Sequence, residues 1–192
     1  MRSNINKLNI NKFHLMKSII KILLIITAFF SCNPQKKEIK KIVKEWMGKE
    51  IILPQQIEFK VLGRDTICSD LWEEPYKILT YVDSIGCSSC KMGLHFWEAI
   101  AEIFKHEKLN VPILFVIHST DYDLLSQELI ENNFNFPVIY DYNNLFEKLN
   151  HFPPAPFRTF LLDKNNIVQL IGSPVNSPQV WKLYRDIIFK HQ

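Results

Sequence analysis

The 192-residue chain has five glycines, four cysteines and ten prolines, with no internal repeat and no low-complexity linker to divide it. About 160 residues follow the N-terminal basic and apolar stretch, enough for one domain with a sizeable core. The chain lacks a run of the roughly 20 apolar residues that a helix needs to cross a bilayer, because the run from Ile22 to Phe30, broken by Thr27, is far shorter. A permanent spanning helix is therefore not expected. There is no second Cys-X-X-Cys and no close histidine pair, since His95, His106, His118 and His151 are scattered, so a four-ligand zinc site has no donors to build it. Nothing in the sequence points to nucleic acid as a partner.

Acidic side chains are absent from the first thirty-two residues, which carry Arg2, Lys7, Lys12, Lys17 and Lys21 around the apolar run. That combination reads as an export signal, and Met16-Lys17-Ser18 with the apolar run is a complete signal by itself. Taking these five from the 23 basic residues leaves 18 against 20 acidic ones, a net charge of −2 in place of +3. The basic isoelectric point is thus a targeting feature. The run ends at Phe29-Phe30-Ser31-Cys32, which resembles a bacterial lipoprotein signal, where a small residue precedes a cysteine that is lipidated and becomes the mature N-terminus. Ser31 fits, and Phe30 departs from the small residue usual there. The alternative is an ordinary cleaved signal with an incidental cysteine. The expected division is a signal peptide over 1–31, a membrane-proximal extension over 32–70 and the main domain over 71–192.

Gln35 to Lys44 is lysine-rich, with Ile39, Ile42, Val43 and Trp46 at helical spacing, and reads as an amphipathic helix with a solvated face. Ile51-Ile52-Leu53 and Ile57 to Leu62 read as short strands. Lys77 to Val82 follows as a buried strand, and Met92, Phe96, Ile100, Ile103 and Phe104 give a helical stripe through about Glu107. Val111 to Ile117 is a continuous apolar strand. A helix over Tyr122 to Asn132 turns Leu125, Leu129 and Ile130 inward, and a strand at Pro137 to Tyr140 and a short helix around Leu145 to Leu149 come next. Phe157 to Leu162 and Ile167 to Ile171 are joined by Asp163-Lys164-Asn165-Asn166, which suits a hairpin, and Val180 to Phe189 closes the chain as an amphipathic helix. Strands alternating with helices imply parallel pairing through right-handed crossovers, with the hairpin as an antiparallel edge.

Cys87-Ser88-Ser89-Cys90 lies between the first of these central strands and its helix. Two cysteines three apart at a helix start can bridge, and the unpaired amides of a first turn stabilise a thiolate. Cys87 is the expected nucleophile, with its sulfur outward, and Cys90 falls one turn inside. Asp83, four residues before Cys87, is a candidate proton relay to Cys90, against the plainer reading of a strand-end cap. Lys91 could favour the thiolate. One of Phe96 and Trp97 belongs to the core. Cys68 lies outside the motif, and the expected reading is a buried, inert thiol, the alternatives being a disulfide with a partner or a second step that resolves Cys87.

The element order and the cysteine pair resemble the thioredoxin-like fold, an α/β three-layer sandwich with a central mixed sheet, over roughly Leu71 to Lys190. An extra helix and strand inserted centrally are similar to those of membrane-anchored bacterial thiol-disulfide oxidoreductases and peroxiredoxins. The resemblance implies that Cys87 attacks or is attacked in thiol-disulfide exchange and that Cys90 resolves the mixed disulfide. It implies cysteine-containing envelope proteins and a thiol electron donor or acceptor as partners, no cofactor and no metal. The lipid anchor at Cys32 would place the chain at the bacterial envelope, facing the periplasm. It further implies a cis-proline opposite the cysteines, for which Pro156, as part of a substrate groove, is the candidate and Pro154 the second choice. The family more often has a tryptophan before the first cysteine and a proline inside the motif, where this chain has Gly86 and two serines. Three other readings stay open: a peroxidase, although Asp83-Ser84-Ile85-Gly86 lacks the usual threonine; a copper metallochaperone using both thiolates with His118 or His151; and a non-catalytic lipoprotein with a structural disulfide.

Overall fold

The computed structural model describes residues 34–66, 68–83, 93–175 and 177–191. Helix α1 spans Pro34–Trp46, with Ile42 and Trp46 buried. Strands β1 (Phe59–Val61) and β2 (Arg64–Thr66) follow, then β3 (Tyr76–Val82), α2 (Leu94–His106), β4 (Ile113–Ile117), α3 (Tyr122–Glu131) and β5 (Val138–Tyr140). Helix α4 (Leu145–Asn150), strands β6 (Thr159–Asp163) and β7 (Val168–Ile171) and helix α5 (Pro178–Ile188) complete the order. Helices α3 and α5 start on the side chains of their N-cap residues: Asp121 Oδ1 accepts from Leu124 N at 2.9 Å before α3, and Ser177 Oγ from Val180 N at 3.4 Å before α5. Among the described residues no helix is long and apolar enough to cross a membrane.

The strands form one mixed sheet in the order β2-β1-β5-β4-β3-β6-β7. Strands β3, β4 and β5 pair in parallel, and β6 and β7 add an antiparallel hairpin beside β3. Alternation along β3 and β4 separates two apolar layers. Ile78, Ile113, Phe115 and Ile117 meet Trp97, Ile100 and Phe104 of α2, Leu125 and Leu129 of α3, and Tyr184 and Ile188 of α5. On the other face Leu79, Tyr81, Leu114 and Val116 meet Ile42 and Trp46, Phe146 of α4, Phe152 and Phe160. Helices thus cover both faces of the sheet, as the α/β alternation requires.

Four expectations are corrected. Ile51-Ile52-Leu53 forms no strand: an isolated bridge joins Glu50 to Ile167, and fully buried Ile51 donates its N–H to Asn166 O at 2.9 Å. Burial there comes from docking on β7 and needs no strand of its own. Strand β2 is absent from the sequence-based expectations, because the hairpin turns at Leu62-Gly63, both at positive φ, and leucine rarely adopts that conformation. The apolar stripe of α2 is Trp97, Ile100 and Phe104, while Phe96 and Ile103 are exposed. Ile130 likewise faces outward from α3, with its Cδ1 3.4 Å from where a Cβ on Gly63 would stand.

Asn150 stitches the chain before β1 to α4. It is buried, its Oδ1 accepts from Ile52 N at 2.8 Å, and its Nδ2 donates to Ile52 O and Phe146 O, both at 2.9 Å. Replacing Asn150 by Ala orphans both polar groups of Ile52, so unfolding free energy should fall by about 2–3 kcal/mol. Urea denaturation measures this, and a loss under about 0.5 kcal/mol would mean water replaces the amide at no cost.

Candidate functional site

The site is set by how β3 meets β6. Their register pairs Thr80 with Thr159, whose hydroxyls lie 3.3 Å apart. One step further Tyr81 N donates to Arg158 O at 2.8 Å. Continuing that register brings Asp83, at the end of β3, toward Pro156 in the loop before β6, and both line one cleft. The cleft has a volume of about 410 Å³ and is closed by Trp97 from α2 and by Ser173 and Val175 after β7. The Ala155–Pro156 peptide bond is cis.

Arg158 organises the polar side of this cleft. Its Nη1 donates to Asp83 Oδ2, its Nε donates to Pro153 O at 2.8 Å, and its guanidinium carbon stands 5.4 Å from the Tyr81 ring centroid. The Tyr81 hydroxyl donates to Asn144 Oδ1 at 2.7 Å, and burial raises the phenol's pKa well above its ordinary value, so it is a neutral donor at any physiological pH. A chain of contacts therefore runs from the proline loop through Arg158 to the end of β3. Sequence reasoning misses Arg158, since a lone arginine two residues after a proline has no motif of its own. The β-register is the signal that identifies it.

Entry into α2 depends on Gly93. Its φ of +56° favours glycine, and a Cβ there would stand 3.2 Å from Val175 Cγ1. Trp97, one turn into α2, is buried and packs edge-on to Phe115 at 5.7 Å between ring centroids. Of the two aromatic residues expected here, Trp97 is the core residue.

Cys87 and Cys90, together with Ser88, Ser89 and Lys91, lie outside the described residues, as does Cys32. The flanks of the cysteine segment are described: Val82 and Asp83 on one side, and Gly93 and α2 on the other. Asp83 is held by Arg158, so it belongs to an ion pair at the cleft wall. Cys68 packs on the face of the sheet opposite Trp97, against a larger cavity of about 580 Å³ shared with Phe59 and Trp72. It is half-buried, not buried as expected, and partial burial together with the Asp70 carboxylate raises its thiol pKa. The smaller cleft, at the flank of the cysteine pair, is the candidate site.

A second polar cluster lies at the carboxyl ends of β4 and β5. His118 N donates to Val82 O at 3.0 Å, and its Nδ1 is 2.9 Å from Asp141 O and 3.4 Å from the Tyr122 hydroxyl. Asp141 is buried and accepts from Leu145 N at 2.6 Å and Phe146 N at 3.1 Å, capping α4. Burial raises its carboxyl pKa despite those two amides.

The comparisons with known proteins agree with this architecture. No protein-family model and no curated protein matches the chain. Among solved structures it is similar to the thioredoxin domain of a thiol-disulfide oxidoreductase from Bacteroides vulgatus, with a TM-score of 0.55 and 11% identity over 74% of this chain and 97% of that one. A Chlorobium tepidum protein described as a thiol:disulfide interchange protein, DsbE, aligns with a TM-score of 0.55 and 17% identity over 74% of this chain and 96% of that one. AhpC of Mycobacterium tuberculosis aligns with a TM-score of 0.52 and 18% identity over 77% of this chain and 98% of that one. The chain has a thioredoxin-like fold.

Two expected outcomes test the site's framework. Arg158→Ala should lower unfolding free energy by about 1–2 kcal/mol, and Arg158→Lys by nearly as much, because an ammonium cannot serve Asp83 and the Pro153 carbonyl with one fork. Chemical denaturation of both variants checks this, and a lysine variant as stable as the parent would reduce the role of Arg158 to charge. For Asp141, a folded-state pKa above the ordinary aspartate value means that its contribution to stability is complete below that value and is lost as pH rises through the folded one. Asp141→Asn should therefore flatten the pH dependence of stability from the ordinary aspartate range upward. Parallel denaturation series at stepped pH read the difference in slope.

Proposed function

We propose that the chain is a thiol-disulfide oxidoreductase of the bacterial envelope, tethered through a lipid on Cys32, that exchanges a Cys87–Cys90 disulfide with cysteine-containing partner proteins. The observation that carries the reading is the position of Cys87-Ser88-Ser89-Cys90 in the link from central strand β3 to α2, with the cleft that contains Pro156 at the flank of that link. The thioredoxin-like fold supports the same reading.

In the reducing direction the Cys87 thiolate attacks one sulfur of a partner disulfide. A Cys87–partner bond forms, the partner's S–S bond breaks, and the second partner sulfur leaves as a thiolate that takes up a proton. The Cys90 thiolate then attacks the Cys87 sulfur, forms the Cys87–Cys90 bond and expels the partner's remaining thiolate. Two electrons have passed to the partner, and an envelope thiol donor restores the dithiol by the same exchange. Oxidation of a partner dithiol runs these steps in reverse. The cleft's wall supplies Val82 and Val175 as apolar surface for the partner chain, and its Asp83 and Arg158 neutralise each other.

Equilibration with dithiothreitol and thiol trapping should yield a reversible Cys87–Cys90 couple at about −270 mV or above, and Cys87→Ser should abolish exchange. A bond resisting reduction below about −300 mV would mark a structural disulfide and overturn the enzyme reading.

A further inference from the structure

Lys36, Lys37, Lys40, Lys41 and Lys44 recur along α1 at i, i+1, i+4, i+5 and i+8, which confines them to an arc of roughly 140° at about 100° per residue. All five are exposed. Buried Ile42 and Trp46 lie outside that arc, and so do Glu38 and Glu45. Elsewhere three exposed helix lysines have partners: Lys182 pairs with Asp186 at 2.8 Å, Lys105 with Glu102 at 3.3 Å, and Lys148 donates to Asn143 O at 2.8 Å. Among the described residues no ion pair engages the five on α1. Instead they stack on one another, with Lys36–Lys40, Lys37–Lys41 and Lys40–Lys44 each a like-charge pair at i,i+4. Such pairs oppose helix formation in water, offset only at Lys41 by Glu38 three residues before it and Glu45 four after, and an anion lying against the stripe relieves them.

By spacing alone the stripe is a solvated face. Its place in the chain argues for an occupant. Pro34, the first residue of α1, follows Cys32 after Asn33 alone, and two residue steps span at most about 7 Å. The ten residues from Pro34 to Lys44 rise about 15 Å along a helix. A lipid on Cys32 would therefore start α1 at the bilayer surface, with its first lysines within a Debye length of about 10 Å at 0.1 M salt. We infer that the lysine face of α1 lies on the anionic phospholipid surface of the leaflet that holds the anchor. This rests on the tethered reading above. The charge is complementary, and basic residues beside a lipid anchor add an electrostatic contact to the hydrophobic one.

The test uses the full processed protein in vesicles of phosphatidylcholine alone or with added phosphatidylglycerol. An impermeant amine-acylating reagent labels it, and mass spectrometry reads each lysine. The five α1 lysines should be labelled several-fold less in anionic vesicles at about 0.01 M salt, and labelling should recover at about 1 M, where the Debye length falls from about 30 Å to about 3 Å. Lys105 and Lys182, both about three-quarters exposed, serve as internal controls and should not change. In a variant carrying Lys36→Gln, Lys37→Gln, Lys40→Gln and Lys41→Gln, the protection of Lys44 should disappear. Equal labelling of the α1 lysines in both vesicle types would overturn the inference and restore the solvated face. The intact mass reports lipidation of Cys32 independently. A chain without the lipid is added to the same vesicles from solution, where protection supports the lysine contact although the tether reading has failed, and its absence overturns both.

Discussion

The antiparallel pairing of β3 with β6 is the constraint on which the candidate site depends. With Thr80 opposite Thr159, Tyr81 is bound to Arg158, and the two strand ends bring Asp83 and Pro156 into one cleft. A slip of one residue would turn every β6 side chain to the other face, exchanging buried Phe160 and Leu161 between the two cores and carrying Arg158 away from Asp83. The register is held by apolar burial on both faces, since Phe160 belongs to one core and Leu161 to the other. Site geometry is thus a consequence of core packing.

Polar groups inside this framework are few, and each ties distant parts of the chain together. Lys77 is fully buried on β3, where its Nζ donates to Trp72 O at 2.7 Å and Asp163 O at 2.8 Å. Burial lowers its pKa, while the carboxylates of Asp163, Glu73 and Glu74 oppose that shift. The ammonium therefore holds the turn before β3 against the end of β6, the far end of the same strand pair that bears Arg158. Asn150 does corresponding work on the same face of the sheet, and Asp141 caps α4. Removing any of them leaves partners that water reaches poorly, which is why polar residues occupy sites that apolar ones could fill.

The larger cavity and the smaller cleft differ in what surrounds them. Around Cys68 a single thiol with a raised pKa stands between apolar side chains such as Phe59 and Trp72 and the polar Gln55, Glu58, Asp65 and Thr66. At the cleft, two loops converge with β3, α2 and the start of β6, and Asp83, the last described residue before the cysteine segment in sequence, is part of the lining. Volume alone would favour the first, whereas chemistry favours the second.

Period and punctuation in the sequence determined which elements form, because burial on two faces imposes continuous apolar runs on β3 and β4, and caps such as Asp121 and Ser177 mark helix starts locally. The cysteine pair and the proline loop are equally local, so their candidate roles are legible in the order of residues itself. The partners of those residues are not. Leu62 at positive φ hides the β1–β2 hairpin, and the α2 stripe runs through Trp97 and not through Phe96. The ion pair of Asp83 with Arg158 spans 75 residues of sequence. Only tertiary structure decides such contacts, because strand register and helix rotation are set by how all the apolar faces fit together at once, and no local window of the chain contains that information.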